Sequence, residues 1–294
     1  MKKKIAQVVF GLPLEGPFDY LIPEDGQAKI SLGQRVYVSF QNRYKVGYVV
    51  GFRKQSPYPK LKTILTPLDN GPVLNAKALK LTKTFSDYYG CSWGEAIETS
   101  LPLALRRKQP MPFSLPPQQK NSFVTKAEIV LCHDQGLTGR WPFLIQQIKE
   151  NLGHQKGVIF LVPIVSLIKK IQKILQDKLD FSITVLDRQL TNKEERDQWR
   201  NILEGKVKMV IGTRSAIFTP VADLGLIIVY EEEHTSYKQE QSPFYHVREV
   251  ALMRRKIEDC SLIFVSSYPS TEVWWQAKKK KINLTNKDVI IFLI

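Results

Sequence analysis

From about residue 125 onward, short and almost wholly apolar segments alternate with amphipathic ones. The apolar segments are strand-sized and read AEIVLC, VIFLV, SITVLD, VKMVIG, LGLIIVY and SLIFVS. The segments between them, such as WPFLIQQIKENL and KEERDQWRNILEG, repeat apolar residues at helical spacing. Strands that are apolar along their whole length must be covered on both faces, and alternation with helices is typical of a parallel sheet. The second half is therefore predicted to be a parallel α/β domain.

The first half has a different pattern, which favours a small β-rich domain. The runs AQVVF, RVYVSF and KVGYVVGF are rich in β-branched and aromatic residues, and turn signals such as PEDG and SLGQ separate them. One helix is predicted over residues 76–98. Prolines exclude regular structure from about residue 102 to 120. We therefore predict an α/β protein with a β-rich domain at 1–108, a Pro-rich linker at 109–124 and the α/β domain at 125–294.

The charge of the chain favours a polyanionic partner. The formal net charge is +15 and the sequence pI is about 9.6. Basic residues that meet phosphates release condensed counterions, so nucleic acid is favoured over a merely solvated basic surface. The three cysteines form no C-x-x-C pair, which argues against a zinc module or a disulfide framework. The terminal apolar runs are too short for a signal peptide or a bilayer span, so a cytoplasmic protein without membrane contact is expected.

The junction of the first strand and first helix of the α/β domain is where P-loop nucleotidases carry G-x-x-x-x-G-K-[ST]. Here the sequence is DQGLTGRWPF, and Gly139 matches the second glycine of the pattern. Asp134 takes the place of the first glycine, Arg140 that of the lysine, and Trp141 that of the hydroxyl residue that binds magnesium. Arginine lacks the compact ammonium of lysine, and tryptophan cannot ligate magnesium. By itself this degenerate loop does not predict a nucleotide site.

A run of acids follows the strand LGLIIV. Motor ATPases place Asp-Glu at such a strand end, where the pair binds magnesium and orients the attacking water. An ungapped alignment puts Tyr230 at the aspartate position. A shift by one residue puts Glu231 there and leaves Glu232, Glu233 and His234 in place. We expect these residues to be a vestige of such a motif, the alternative being an ordinary solvated strand end.

Several blocks in order resemble the PriA family of replication-restart helicases (primosomal protein N-prime). In the second half these are GTRSA, the acidic box, SYKQE, YHVREVA, LVPIVSL and SSYPS. In the first half they are LPLEGPFDYLIPED, LGQRVYVSF, LKTILTPLD and YYGCSWGEAIETSLPLALRR. The resemblance covers about residues 5–110 and 125–285. It implies a domain that holds a DNA 3′ end, followed by the first RecA-like helicase lobe.

The resemblance also implies DNA-binding residues. A turn of Phe18, Asp19 and Tyr20, with Lys62 nearby, would form a pocket for the DNA 3′ end. An aromatic ring can stack on a terminal base, a carboxylate can accept from a base amino group, and a lysine can meet phosphate. The alternative for the two aromatic residues is core packing. Further DNA contacts are implied at Arg43, Thr213, Arg214, Tyr237, Lys238, Tyr245 and Arg248.

The family's ATP and magnesium chemistry uses two lobes, and the sequence is expected to end before the second lobe and the zinc module. With Gly139, Arg140 and Trp141 at the loop, we expect no cofactor, no metal and no helicase activity. The leading hypothesis is a DNA-binding protein of the replication-restart type that recognises forked or 3′-ended DNA, with replisome or primosome proteins as further partners. One alternative is a subunit of an ATP-dependent 3′–5′ DNA helicase completed by a separate second lobe. The other is a non-catalytic interaction module or a decayed gene product.

Overall fold

The computed structural model describes residues 5–23, 30–113, 127–133, 139–187, 190–279, 282–286 and 289–292. The chain forms two compact units. The first comprises Met1–Pro116 and Thr191–Glu204, and the second Pro117–Leu190 and Gly205–Ile294. The first contains an antiparallel sheet and the second a parallel one, which confirms the predicted α/β class. The boundaries at residues 108 and 125 stay a prediction.

The sheet of the first unit has five antiparallel strands in the order β2-β1-β4-β3-β5. Their bounds are β1 Ile5–Val9, β2 Phe18–Leu21, β3 Arg35–Phe40, β4 Arg43–Arg53 and β5 Thr66–Pro67. A two-residue turn joins β3 to β4, with Gln41 at φ 45° and Asn42 at φ 60°. Positive φ at both positions suits the right-handed twist of a tight hairpin, and asparagine tolerates it well. The prediction of a turn at Phe18–Tyr20 is wrong, because these residues form strand β2.

Two helices follow where one was predicted over 76–98. Helix α1 (Ala76–Tyr89) ends at Gly90, which adopts the left-handed conformation at φ 65°. Helix α2 (Trp93–Ser100) begins with Ser92, which forms a capping box with Glu95. Glycine ends a helix at low cost, and S-x-x-E begins the next one. Both signals are local, and they break the predicted helix in two.

The first part of the Pro-rich segment is packed rather than free. A short 3₁₀ helix spans Leu103–Leu105, and Met111 and Phe113 are buried. The fully buried Arg35 pairs with Asp69, with 2.7 Å between Nε and Oδ2. The same guanidinium donates to the carbonyl oxygen of Leu105 at 2.6 Å. A buried charge needs such partners, and they fix this segment against the sheet.

Helix α5 (Asn192–Leu203) belongs to the first unit, although it lies between two strands of the second unit in the sequence. Its Trp199 and Leu203 are buried in a cluster with residues of β1, β4, α1 and α2. Glu195 on the same helix accepts a hydrogen bond from the backbone N–H of Ala104 at 3.3 Å. The chain therefore passes between the two units three times, after Pro116, Leu190 and Glu204.

The second unit contains a six-stranded parallel sheet in the order β6-β11-β10-β7-β9-β8. The strands are β6 Ile129–His133, β7 Gly157–Leu161, β8 Ile183–Leu186, β9 Met209–Gly212, β10 Leu224–Tyr230 and β11 Ser261–Ser266. The helices are α3 Arg140–Gly153, α4 Val165–Gln176, α6 Val247–Glu258 and α7 Thr271–Lys278, and a hairpin of β12 Ile282–Asn286 and β13 Val289–Phe292 follows. Strands β7 and β10 are buried along their whole length, as their apolar sequences predict. This is a RecA-like α/β architecture.

Candidate functional site

The carboxyl ends of three neighbouring strands define the first candidate site, in the second unit. Strands β6, β11 and β10 are adjacent and parallel, so His133, Ser266 and Tyr230 lie at the same edge of the sheet. Ligands of open α/β sheets bind at this edge. Helix α3 begins there with Arg140, after Gly139. Asp134, which the sequence places in the same loop, lies outside the described residues.

Arg140 occupies the place of the phosphate-binding lysine, and its side chain is engaged by protein groups. The residue is 1% exposed. Its Nη2 donates to Ser267 Oγ at 2.7 Å, and its Nη1 donates to the Tyr230 hydroxyl at 3.3 Å. The guanidinium carbon lies 5.5 Å from the centre of the Tyr230 ring. The Arg140 guanidinium thus binds neighbouring side chains in this structure and is not exposed at the surface, where a phosphate would meet it.

Trp141 and Tyr230 stack on each other at this place. Their ring centroids are 5.7 Å apart and the planes differ by 27°. In a nucleotidase, the first of these positions holds a hydroxyl and the second a carboxylate, and magnesium bridges to both. An indole and a neutral phenol offer no ligand set for a hard cation. Among the described residues, Arg140, Trp141 and Tyr230 therefore do not form the ligand set that ATP and magnesium need.

The acidic run after β10 turns sharply. Glu231 has φ 52°, a left-handed conformation that is strained for a side chain of this size. The next residue, Glu232, is fully buried. Its carboxylate oxygens accept from the backbone N–H of Ser270 at 2.6 Å and from the Ser270 hydroxyl at 2.9 Å. Burial raises the pKa of the Glu232 carboxyl, although these hydrogen bonds and Arg248 act to lower it. Because Ser270 caps α7, Glu232 ties the end of β10 to that helix.

Arg248, predicted to contact DNA, is buried at the start of α6 and surrounded by acceptors. Its Nη1 donates to Ser270 Oγ at 3.0 Å and lies 3.5 Å from Glu232 Oε2. Its Nη2 lies 3.1 Å from a carboxylate oxygen of Glu272. These contacts give the guanidinium a structural role in the second unit, and a DNA contact by Arg248 stays a prediction.

The aromatic-rich loop after the acidic run packs most of its rings inward. Tyr237 is fully buried and donates its hydroxyl hydrogen to the carbonyl oxygen of Tyr230 at 2.7 Å. Tyr245 is buried with its ring edge-on to Phe218, at 5.5 Å between centroids. The exposed ring of this loop is that of Phe244. Tyr237 and Tyr245 are therefore not presented for base stacking in this structure.

Three polar residues predicted to contact DNA flank this loop. Arg214, which begins the 3₁₀ helix Arg214–Phe218 after β9, donates to the carbonyl oxygens of Ser236 at 2.9 Å and Lys238 at 2.8 Å and so holds the loop in place. The Lys238 side chain is exposed, and Thr213 is half-buried. In the acidic run before the loop, His234 accepts from the backbone N–H of Ser236 at 3.1 Å, and Glu233 is half-buried. Lys238 is the best placed of these for a phosphate.

The second candidate site is in the first unit, around strand β2. Phe18 and Tyr20 lie on the core side, where Phe18 is 5.0 Å from Phe40 between ring centroids. Tyr20 is 4% exposed and donates its hydroxyl hydrogen to the carbonyl oxygen of Ser39 at 3.0 Å. Burial raises the pKa of Tyr20 to about 12. In the structure Tyr20 is a core residue, and Phe18 is partly buried and packs against the same core cluster.

Asp19 lies on the opposite face, because side chains alternate along a strand. Its Oδ2 accepts from Arg53 Nη1 at 3.0 Å and from Ser56 Oγ at 2.6 Å. The side chain is 2% exposed, and Oδ1 is buried with no hydrogen-bond partner among the described residues. The structure therefore does not bring Asp19 together with the two aromatic residues. Lys62 and Arg43 are exposed, and Lys62 Nζ donates to Ser39 Oγ at 3.3 Å.

The segment Arg53–Lys62 begins at the last residue of β4, and sequence analysis singled out only Lys62 in it. It reads RKQSPYPKLK, and its cations and its tyrosine are exposed. The signal was visible in the sequence, because basic residues around an aromatic one are typical of single-strand binding.

No group of three or more potential metal ligands occurs within the described ranges. Over the same part of the chain, every helix is too short or too polar to cross a bilayer.

Comparison with known proteins identifies both units. Residues 7–102 match the model of the PriA 3′ DNA-binding domain, and residues 141–272 match that of the DEAD/DEAH box helicases. The replication restart protein PriA of Rickettsia prowazekii is 30% identical over 298 residues, which cover 96% of this chain and 45% of that protein. The protein of the same name from Treponema pallidum is 26% identical and covers 92% of this chain and 44% of its own length. That from Synechocystis is 38% identical over 166 residues. This chain spans less than half the length of the first two relatives, and it belongs to the PriA family of replication restart proteins.

Proposed function

We propose that this chain is a DNA-binding protein of the replication-restart type that recognises forked or 3′-ended DNA and does not hydrolyse ATP. Two features support DNA as the partner: the match to a 3′ DNA-binding domain and the net charge of +15. Basic side chains at phosphates supply most of the affinity for DNA and make it depend on salt. Exposed Lys62, Arg43 and Lys238 are the family-derived contacts that geometry leaves free to reach a phosphate. Recruitment of replisome or primosome proteins belongs to the same proposal.

One observation carries the loss of ATP hydrolysis: Arg140, Trp141 and Tyr230 bind one another where a nucleotidase binds phosphate and magnesium. Phosphoryl transfer depends on a cation and on groups that neutralise charge on the transferred phosphate. Here the cationic side chain is held by a hydroxyl and a phenol, and the metal-ligand positions hold aromatic rings. A buried cation over an aromatic face is a stable arrangement in its own right.

The test is equilibrium binding of the full chain to forked, 3′-tailed and blunt DNA over a series of salt concentrations, with and without ATP. We expect forked and 3′-tailed DNA to bind more tightly than blunt DNA, with affinity falling steeply as salt rises and no effect of ATP. Phosphate release, with and without DNA, should stay at the level of the buffer. Salt-insensitive binding would contradict the DNA-binding proposal. ATP turnover that is lost in Glu232→Gln would contradict the second part and favour a helicase subunit.

A further inference from the structure

The segment Arg53–Lys62, which begins at the last residue of strand β4, is basic and exposed and carries an exposed aromatic ring. It contains four cationic side chains and no acid in ten residues: Arg53, Lys54, Lys60 and Lys62. Tyr58, at its centre, is 64% exposed. Tyr58 lies between two prolines with its ring in solvent, so the ring contributes little apolar burial to folding and is accessible to a ligand.

This segment is also anchored, which distinguishes it from an ordinary solvated loop. Ser56 Oγ donates to Asp19 Oδ2 at 2.6 Å and accepts from the backbone N–H of Tyr58 at 3.2 Å. Arg53 Nη1 donates to the same carboxylate oxygen at 3.0 Å. At the far end, the carbonyl oxygen of Lys62 accepts from the backbone N–H of Leu21 at 2.9 Å. Three attachments to strand β2 hold the segment in place, so a ligand that binds it meets a preformed surface.

We propose that the segment Arg53–Lys62 is the surface of the first unit that contacts single-stranded DNA, with Tyr58 as the stacking platform for a base and Lys54 and Lys60 as phosphate contacts. This proposal rests on the proposed DNA-binding function and names the residues that perform it. Asp19 is a positioning residue here: it holds Ser56 and Arg53, and through Ser56 the backbone of Tyr58.

The burial of the family-derived aromatic residues supports this assignment. Tyr20 is buried and hydrogen-bonded in the core, and the partly buried Phe18 packs edge-on against Phe40. The ring of Tyr58 is exposed to solvent and so is accessible to a base. Base stacking on an aromatic ring tolerates any sequence but needs an unpaired base, whereas duplex DNA presents mainly phosphates to such a surface. The surface therefore fits a single strand better than a duplex body.

The test compares binding of the full chain to a duplex with a single-stranded 3′ tail and to the same duplex with blunt ends. Tyr58→Ala should weaken binding to the tailed DNA roughly ten-fold, the loss expected for one stacked base. Binding to blunt DNA and the salt dependence should stay unchanged, because no charge is removed. The matched control is Tyr88→Ala, which removes a tyrosine that is 60% exposed on helix α1 and should leave both affinities unaltered.

Charge is tested separately with a double variant, Lys54→Gln with Lys60→Gln. The slope of log affinity against log salt for the tailed DNA should decrease in magnitude by about 1.4, the value for two phosphate contacts on a single strand. Lys77→Gln with Lys80→Gln removes the same charge from helix α1 and should change the slope less.

The positioning role of Ser56 has its own readout. Ser56→Ala should weaken binding to the tailed DNA without changing the salt slope, and Ser56→Thr, which keeps the hydroxyl, should restore it. If the wild-type chain binds tailed DNA but the Tyr58 and Lys54/Lys60 variants bind as tightly with the same slope, the surface is elsewhere and this inference is overturned while the proposed function stands. If the wild-type chain shows no salt-dependent binding, the proposed function itself fails.

Discussion

Trp199 on helix α5 should be essential to the stability of the first unit. Its indole is 5% exposed and lies in a cluster with Val9 of β1, Tyr48 of β4, Leu79 of α1 and Ile97 of α2. These four elements are the body of the unit, and they are distant in sequence from the helix that fills their cluster. Trp199→Ala would leave a cavity in this cluster.

The size of the effect follows from the surroundings of the ring. Replacing a buried tryptophan by alanine costs about 3–5 kcal/mol, from lost transfer free energy and the cavity. The indole Nε1 is buried without a hydrogen-bond partner among the described residues, so the variant loses no hydrogen bond and removes an unsatisfied donor. The expected loss is therefore nearer to about 3 kcal/mol. Since a domain is stable by roughly 5–15 kcal/mol, this is a large fraction of the total.

Hydrogen exchange of backbone amides under native conditions measures this loss for each unit separately. In Trp199→Ala, amides of β1 and β4 should lose about 3 kcal/mol of protection, while amides of β10 and β11 in the second unit keep theirs. Trp275→Ala, which removes an exposed indole from α7, should change neither set. Unchanged protection of β4 in the Trp199 variant would refute the assignment of α5 to the core of the first unit.

Three further predictions follow from other contacts. Arg140→Lys combined with Trp141→Thr should not produce ATP hydrolysis, because Tyr230 still replaces the carboxylate that magnesium needs; phosphate release stimulated by DNA would show the opposite. The free energy of unfolding should fall by about 1–3 kcal/mol as pH drops from 6.5 to 4, because burial and Arg248 lower the pKa of His246 to about 4 and the unfolded chain takes up the proton first. His246→Asn keeps the helix-capping acceptor but cannot titrate, so urea unfolding should show a weaker pH dependence than in the wild type. A fragment of residues 5–113 should lack cooperative unfolding by circular dichroism, and adding a peptide of residues 190–205 should restore it; a fragment that unfolds cooperatively alone would contradict this.

The sheet strands of the second unit were predictable because the cause is local. A segment such as LGLIIVY is apolar on both faces, and only a covered strand explains that pattern. The sequence also carries the signals for the end of α1 and the start of α2, since Gly90 and the S-x-x-E pattern lie close together. The prediction of one helix missed them because it followed the apolar periodicity, which continues across both helices. The location of α5 was not readable. Its sequence predicts an apolar helix face, but such a face does not indicate which part of the protein it packs against.

The candidate site shows the same division between local and non-local information. Arg140 and Tyr230 lie close together because parallel strands end at the same edge of the sheet, so the sequence predicts that both residues belong to one site. It could not show that they bind each other. For Phe18 and Tyr20, the sequence allowed both base stacking and core packing. The alternation of β2 places both rings on the core side of the strand, and this was hidden because Pro17 and the surrounding glycine and acids favoured a turn there.

The residues at the place where a nucleotidase binds phosphate are coupled, and we therefore expect no single substitution to create a nucleotide site there. Arg140 is a buried cation, which is tolerated only where neighbouring groups compensate its lost hydration. The Tyr230 hydroxyl, the Tyr230 ring face and the Ser267 hydroxyl provide this compensation. Restoring the aspartate with Tyr230→Asp would place a carboxylate beside that guanidinium, and the two would form a buried ion pair in preference to a magnesium site. Arg140→Lys would put a single ammonium in place of the planar guanidinium that reaches both hydroxyls. It would also leave the stack of Trp141 on Tyr230 in place. Each single change is therefore expected to leave the place without a site for phosphate and magnesium. The proposed loss of nucleotide chemistry is therefore a property of the whole cluster of Arg140, Trp141, Tyr230 and Ser267.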